Sequence, residues 1–279
     1  MRTRCLSVFI CSALSAASFQ AGSSRLDIES GGWARALAIS DSKNTVVIVT
    51  TNLGALTRSI TDPAAAELAN AYGLDRSQVL FHASHPGPGE IADHPAVIHA
   101  LASAAAAALG KLAPAQLVYG AGRLRAGDAV LDLTGCLGDA ISLAPVGPEA
   151  NCGGPSSQAL MRIDGPIRTA FEVTQLDFSP QSNDTFGRRL PFPVQAIRIG
   201  SYLTIVALGG EVSLDYAVRA QREFPGGVIL VGSSNDVSER IFSARELNQA
   251  MNGPLAADTE DRVFAEIGRV LARVGYKLH

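Results

Sequence analysis

Apolar and polar positions along this chain fall into short blocks, some with the period of a strand and some with that of a helix. Trp33 to Ser40 and Thr45 to Thr51 are β-rich runs around Asp41-Ser42-Lys43-Asn44, a turn sequence, so the three together predict a hairpin. Asp62-Pro63 predicts a helix start, with Asp62 capping free amides and Pro63 at the first helical position. That helix runs to about Tyr72 and stops at Gly73. Gln78 to Ala83 reads as a buried strand, and the alanine-rich stretch His94 to Leu112 as a helix. Gln116 to Leu124 and Ala129 to Leu133 predict further strands, and Val146 to Ser157 a loop. Val194 to Ile199 and Tyr202 to Leu208 flank Gly200-Ser201, a two-residue hairpin signal. Gly209-Gly210 ends the second of these strands, a helix follows over Val212 to Phe224, and Val228 to Val231 is a short strand. In the C-terminal segment Phe264, Ile267, Val270, Leu271 and Val274 recur at spacings of three and four, the mark of an amphipathic helix. Asp258 suits its N-cap, and Glu260 and Asp261 suit the positive end of its dipole. Strands and helices mix throughout, which predicts one α/β domain with a mixed β-sheet core flanked by helices.

Composition narrows the class. The 279 residues are 47% hydrophobic and 18% charged, which fits a globular chain with a sizeable core and excludes a disordered one. A net charge of −3 and the absence of any basic run give no footprint for nucleic acid. At the N-terminus a basic start, Met1-Arg2-Thr3-Arg4, precedes an apolar and small-residue run from Cys5 to Phe19. Small residues at Ser15, Ala16, Ala17 and Ala21 offer cleavage positions, so residues 1–21 read as a signal peptide and 22–279 as the exported domain, periplasmic or extracellular. The apolar run is too short for a stable membrane span. Cys5 and Cys11 lie in the leader. Cys136 and Cys152 remain in the mature chain, as a disulfide or as two buried thiols.

The segment Gln78 to Glu90, QVLFHASHPGPGE, carries the candidate chemistry. A buried strand delivers His82 and His85 to a rigid Pro-Gly-Pro-Gly loop, and the C-terminal edges of strands are where open α/β sheets place ligands. His94-Pro95 reads as a helix first turn. His99 lies five residues beyond His94, which is not the i, i+4 spacing that brings two ligands together.

Several segments, taken in order, resemble the neutral/alkaline (non-lysosomal) ceramidases and their bacterial relatives. GSSRLDI at Gly22 to Ile28 is similar to the family's opening Gly-Ala-Ala-x-x-Asp-Ile-Thr-Pro. ARALAISDSKNTVVIVTTNL at Ala34 to Leu53 resembles its next strand pair. Val79 to Gly89 sits where the family has Thr-His-Thr-His-Ser-Gly-Pro-Gly, and Gly135-Cys136-Leu137-Gly138-Asp139 resembles its Gly-x-x-Gly-Asp loop. VQAIRIGSYLTIVALGGE at Val194 to Glu211 resembles its strand hairpin ending in Gly-Glu, and Val231 to Glu246 the loop after it. The resemblance covers most of residues 22 to 276, with large deletions.

This resemblance implies the fold of the ceramidase catalytic domain and hydrolysis of the amide of ceramide, a lipid or small amphipathic substrate. The cofactor it implies is zinc, held in the family by two histidines, a glutamate and a tyrosine. Zinc lowers the pKa of bound water to about 7 and polarises a carbonyl. Carried over residue by residue, the metal candidates here are His82, His85 and Glu211. Aligned on Gly87-Pro88-Gly89, His85 takes the second histidine position and Ala83 the first, so His82 reaches the ligand position only after a one-residue shift that changes its face. No residue matches the second histidine ligand, and Arg240 stands at the tyrosine position, where a cation suits a carboxylate or phosphate instead. Asp139 and Ser142 follow Gly138 as candidate catalytic residues, although Ala140 and Ile141 separate them where the family has one residue; a capped turn explains the same pair. Three readings stay open: an exported zinc amidohydrolase, a relative that binds an anionic or lipid ligand without hydrolysis, and hydrolysis without metal. The last lacks a G-x-S-x-G nucleophile elbow.

Overall fold

A computed structural model of the chain describes residues 19–28, 32–54, 56–83, 94–119, 123–126, 129–132, 161–179, 188–224, 228–249 and 255–277. Two β-sheets face each other, and helices cover their outer faces. The first sheet is built from β1 (Phe19–Ile28), β2 (Gly32–Ser40), β3 (Thr45–Thr51), β4 (Val79–Ala83) and β5 (Ala113–Ala115). Its order is β4-β3-β2-β1-β5, antiparallel except for β3 and β4. The parallel step is made by α1 (Arg58–Tyr72) and a 3₁₀ turn at Arg76–Gln78, and α2 (His94–Leu109) follows β4. Short strands β6 (Leu117–Tyr119), β7 (Arg123–Ala126), β8 (Ala129–Asp132) and β9 (Met161–Ile163) pair as β6-β9 and β7-β8. The second sheet contains β10 (Ile167–Asp177), β11 (Arg189–Ile199), β12 (Leu203–Leu208) and, after β13 (Glu211–Val212) and α3 (Leu214–Glu223), β14 (Val228–Val231). Its order is β10-β11-β12-β14. β15 (Arg240–Ile241) pairs with β13, then α4 (Ala244–Gln249) and α5 (Thr259–Arg273) complete the chain.

Residue parity explains the layers. Successive strand residues point to opposite faces, and here both faces are buried, so the strands are continuous apolar runs rather than alternating ones. Ala34, Ala36, Ala38, Val47, Val49, Val79, Phe81 and Ala83 face α1 and α2. Leu37, Ile39, Val46, Ile48 and Leu80 face the second sheet and meet Ile167, Ile197, Ile199, Ile205, Ala207 and Val231. Beyond, Phe192, Val194, Ala196, Val206 and Leu208 face α3 and α5 through Tyr216, Phe264, Ile267 and Val270. Each fully buried Val, Ile, Leu or Phe among them contributes about 1.5–3 kcal/mol, and each alanine less. The alanines of β2 and of α2 let that helix lie close: a Cβ on Gly22 of β1 would meet the Ala108 carbonyl oxygen at 2.3 Å.

The hairpins at Asp41–Asn44 and Gly200–Ser201, the end of α1 at Gly73, strand β4 and the apolar face of α5 match the pattern of the sequence. The helix from His94 ends at Leu109 rather than Leu112, the strand expected over Gln116 to Leu124 is divided between β6 and β7, and three further boundaries differ for reasons of packing. α1 begins at Arg58, a turn before Asp62, because Leu56 and Ile60 are buried there and Thr57 accepts the Ile60 and Thr61 amides. Asp62 instead pairs with Arg58 at 2.8 Å. The helix after Gly210 begins at Leu214 with Ser213 as its cap, so Glu211 belongs to β13 and not to the helix. β11 begins five residues early and contains Pro191 and Pro193. Both lie beyond the β11-β12 ladder, which begins at Val194, so no ladder hydrogen bond needs their N–H. Among the described residues no helix is long and apolar enough to cross a membrane.

Candidate functional site

The C-terminal ends of β4, β12 and β14 converge, and the loop after β14 ties them together. Ala83 N–H donates to the Ser233 carbonyl at 3.0 Å, Ser233 N–H to the Gly210 carbonyl at 2.7 Å, and Ser234 N–H to the Leu208 carbonyl at 3.0 Å. The loop runs Gly232-Ser233-Ser234-Asn235-Asp236 and is polar by composition, yet Ser233 to Asp236 are all buried. Ser233 and Asn235 hold positive φ, at 50° and 64°, a conformation that costs ordinary L-residues energy and is tolerated best by asparagine.

Asn235 is the anchor. Its backbone N–H donates to the Phe81 carbonyl at 2.8 Å and its own carbonyl accepts from Thr61 Oγ1. Its side-chain Oδ1 accepts from Phe81 N–H at 3.2 Å and from Arg76 Nη2 at 3.0 Å, while Nδ2 donates to Gln195 Oε1 at 2.9 Å. Gln195 Nε2 then donates to the Ser77 carbonyl at 2.8 Å. One side chain therefore joins β4 of one sheet, β11 of the other and the 3₁₀ turn between α1 and β4. Burial lowers the Arg76 guanidinium to a pKa of about 10 against the pull of Asp62, so it remains a cation at neutral pH.

His82 shares the inner face of β4 with Leu80, while Ala83 turns to the helix side. His82 Nδ1 lies 3.1 Å from the Gly232 carbonyl oxygen. A carbonyl only accepts, so Nδ1 carries the proton and Nε2 keeps its lone pair. Burial holds the imidazole pKa below its usual value, against the two backbone contacts that raise it, which keeps the ring neutral. A neutral ring, fixed in one tautomer by a carbonyl, is the form in which histidine binds a metal or takes a proton.

Gly232 also links His82 to Glu211. A Cβ on Gly232 would meet Val212 Cγ2 at 2.8 Å and Val212 N at 3.6 Å, so only glycine lets β14 run this close to β13. Glu211 is exposed and stands in register with Arg240 across the parallel β13-β15 pair. Arg240 reaches Glu246 at 3.5 Å and lies over the Phe242 ring at 5.2 Å.

The sequence candidates divide accordingly. His82 and Glu211 come to one edge, around Gly232, and Arg240 stands beside Glu211. His85, Asp139 and Ser142 lie outside the described residues, as do Cys136 and Cys152. His94 and His99 are exposed on α2, which covers the opposite face of the sheet from His82. Gly232, Asn235, Arg76 and Gln195 were not singled out by the sequence; the available signal was a Gly-Ser-Ser-Asn-Asp run set directly after a buried strand. As a metal site the described donors are incomplete. His82 and Glu211 suit zinc, but a catalytic zinc normally has three protein ligands, and no group of three or more His, Cys, Asp or Glu forms among the described residues.

This architecture, two facing mixed sheets with helices outside, is similar to that of the ceramidase domain. The neutral ceramidase from Pseudomonas aeruginosa superposes with a TM-score of 0.65 over 94% of this chain and 75% of that one, at 14% identity. A ceramidase complexed with C2 gives 0.64 over 94% and 76%, also at 14% identity. No protein-family model and no curated protein sequence matches the chain.

Proposed function

We propose that this protein is an exported amidohydrolase that cleaves the N-acyl amide of ceramide-like lipids, with zinc as cofactor. The observation that carries the reading is His82: a neutral imidazole, fixed through Nδ1 by a loop that also docks against the strand bearing Glu211. The fold likeness supplies the context, and the order of motifs from Gly22 to Glu246 agrees with it. His82 and Glu211 would hold the metal, with His85 as the third ligand from the Pro-Gly loop. The bound metal would supply a Lewis acid and a water of lowered pKa. The chain itself supplies orientation: the Gly232 carbonyl aims the imidazole, and the Asn235 network holds the Gly232 loop in place. Asp139 and Ser142 are proposed to stabilise charge on the reacting amide.

A second reading is favoured by one observation. Arg240 stands in register beside Glu211, and a guanidinium there disfavours a metal cation and suits an anion. In that reading the same edge binds an anionic or lipid ligand without hydrolysis.

The test is to purify the exported form, measure bound zinc, and follow fatty acid release from a ceramide. One zinc per chain and fatty acid release, both lost in Glu211→Ala, support the amidohydrolase. A folded protein that takes up no zinc and releases no fatty acid sinks it in favour of ligand binding alone.

A further inference from the structure

β10 is an edge strand of the second sheet, and its backbone groups divide by parity. Gly200 N–H donates to the Pro166 carbonyl at 3.0 Å and Phe178 N–H to the Arg188 carbonyl at 3.4 Å. These bonds bracket the register pairs Ile167–Ile199 and Asp177–Arg189, so both are pairs without mutual hydrogen bonds. Every odd-numbered residue from 167 to 177 therefore turns its N–H and C=O away from β11. The two ends of that outward row are capped. Ile167 N–H donates to Asp41 Oδ2 at 2.6 Å, and the Ile167 carbonyl accepts from Asn44 Nδ2 at 3.1 Å. At the other end the Gln175 carbonyl accepts from Arg262 Nη2 at 2.6 Å, and the Asp177 carbonyl from Ala256 N–H at 3.0 Å. Thr169, Phe171 and Val173 lie between the caps. Among the described residues nothing bonds to their outward N–H and C=O groups.

A bland explanation is an edge wetted by solvent. It does not account for how little guards this one, since edge strands are ordinarily blunted by lysine, proline, a bulge or short length. β10 has 11 residues and an unbroken ladder to β11, and Thr169-Ala170-Phe171-Glu172-Val173 holds neither lysine nor proline. Its inner face is also held firm: Arg76 lies over the Phe171 ring at 4.4 Å, and Ser77 Oγ meets Thr169 Oγ1 at 2.9 Å. The open window is symmetric, because Phe171 stands midway between the capped Ile167 and the capped Gln175 carbonyl. An antiparallel copy of the same strand, related by a two-fold axis at Phe171, sets Thr169 against Val173 and Phe171 against itself. Each such pair exchanges two hydrogen bonds, so every open group of the window is used and the capped residues supply none. The charges agree with that register. Arg168 is exposed, with no ion pair among the described residues, and lies on the α5 face with Ala170 and Glu172. There it stands opposite Thr174 of the copy and diagonal to its Glu172, within reach of a long side chain. Glu172 also meets Arg273 of its own chain, and a carboxylate has lone pairs for two guanidiniums.

We propose that β10 pairs with β10 of a second copy of this chain, which joins two second sheets into one continuous sheet across a two-fold axis at Phe171. The pairing does not depend on the amidohydrolase reading. β14, whose end helps to build the candidate site, is at the opposite edge of the sheet from β10, so both sites stay open in the dimer. The contact is short, which places it among weak, concentration-dependent associations rather than obligate dimers.

The test is sedimentation velocity on the full chain across a concentration series, with backbone amide exchange followed by NMR on the same samples. A dimer is expected with a Kd of about 10 μM. As it forms, the amides of Thr169, Phe171 and Val173 should become protected, while those of Ala170 and Glu172, already bonded to β11, should not change. Val173→Pro removes one outward donor from each copy at a position where an edge strand tolerates proline. It is expected to weaken the dimer at least about tenfold. Arg168→Glu sets like charges on both diagonals and is expected to weaken it about tenfold. Arg168 is exposed, so that variant keeps its fold even if Val173→Pro does not. A dimer indifferent to Arg168→Glu, or one that protects amides elsewhere and leaves Thr169 to Val173 unchanged, overturns the proposal. A monomer at every concentration leaves the edge to water or to a foreign strand and overturns it as well.

Discussion

Two segments meet at the candidate site and are held in opposite ways. The loop from Ser233 to Asp236 is buried and hydrogen-bonded to both sheets and to α1. The β13-β15 pair that presents Glu211 and Arg240 is two residues long, and both side chains are exposed. The loop spends its polar groups on partners far away in sequence, whereas the strand pair leaves its charges facing water. A rigid base with reactive groups on its rim is the arrangement expected where position matters on one side and access on the other. The difference predicts that stability will respond to the loop and, on the proposed amidohydrolase reading, zinc uptake and hydrolysis to the rim.

The strongest way to break this comparison is Asn235→Ala. It removes the partner of the Phe81 amide, of Arg76 Nη2 and of Gln195 Oε1 at once, while Arg76 keeps Val79 and Asp62 and Gln195 keeps Ser77. Each buried atom left unpaired costs about 1–3 kcal/mol, so a total of at least about 3 kcal/mol is expected in urea denaturation. A loss below about 1 kcal/mol would show that the loop is not the anchor. Gly232→Ala is expected to act at the junction of the two segments. Its new Cβ presses on Val212 at 2.8 Å and should cost about 1–3 kcal/mol, the range of overpacking. Zinc uptake should fall further than stability does, because the side chain forces β13 away from the His82 carbonyl partner. Glu211→Ala sharpens the other half: an exposed position predicts a stability change within about 0.5 kcal/mol, measured by the same denaturation, while zinc content and turnover collapse.

The smallest effect concerns pH. Burial raises the Asp236 carboxyl above its usual 3.8, against hydrogen bonds from Ser238 and Arg58 that lower it. The folded state then keeps a proton that the unfolded state has released, so stability declines as pH rises from 3.8 through the folded pKa. Asp236→Asn removes this dependence. It should stabilise at pH 7, and its gain should vanish as pH falls to about 3.8. A gain independent of pH in thermal melts would assign the effect to packing instead.

The legible parts of this molecule were those where local pattern and burial agree. The face of α5 from Phe264 to Val274, the β11-β12 hairpin at Gly200-Ser201 and the apolar run of β4 follow from spacing alone. His82 was legible as a candidate because a strand end is a place for chemistry, and Glu211 through the family resemblance. The loop at Asn235 was not, since Gly-Ser-Ser-Asn-Asp reads as solvent-exposed, and its burial depends on Gln195 and Thr61, 40 and 174 residues away. β1 was illegible for another reason. Phe19 lies in a run that resembles a leader, yet its side chain is 1% exposed within the inter-sheet core. Arg25, Arg35, Thr50 and His82 stand side by side through register across four strands, which no single segment encodes.

Pro191 and Pro193 have a consequence beyond tolerance of their strand. Pro193 accepts the Gly209 N–H through its carbonyl at 2.9 Å, so its backbone groups point toward the side where β12 has ended. Pro191, two residues earlier, points the same way. Pro193 is itself buried against Gly209, so Pro191 is the position where a stray strand from another molecule would seek an N–H donor past the end of β12, and it has none. The prolines let β11 run past its partner while denying that overhang to intermolecular pairing, a built-in guard against edge-to-edge aggregation.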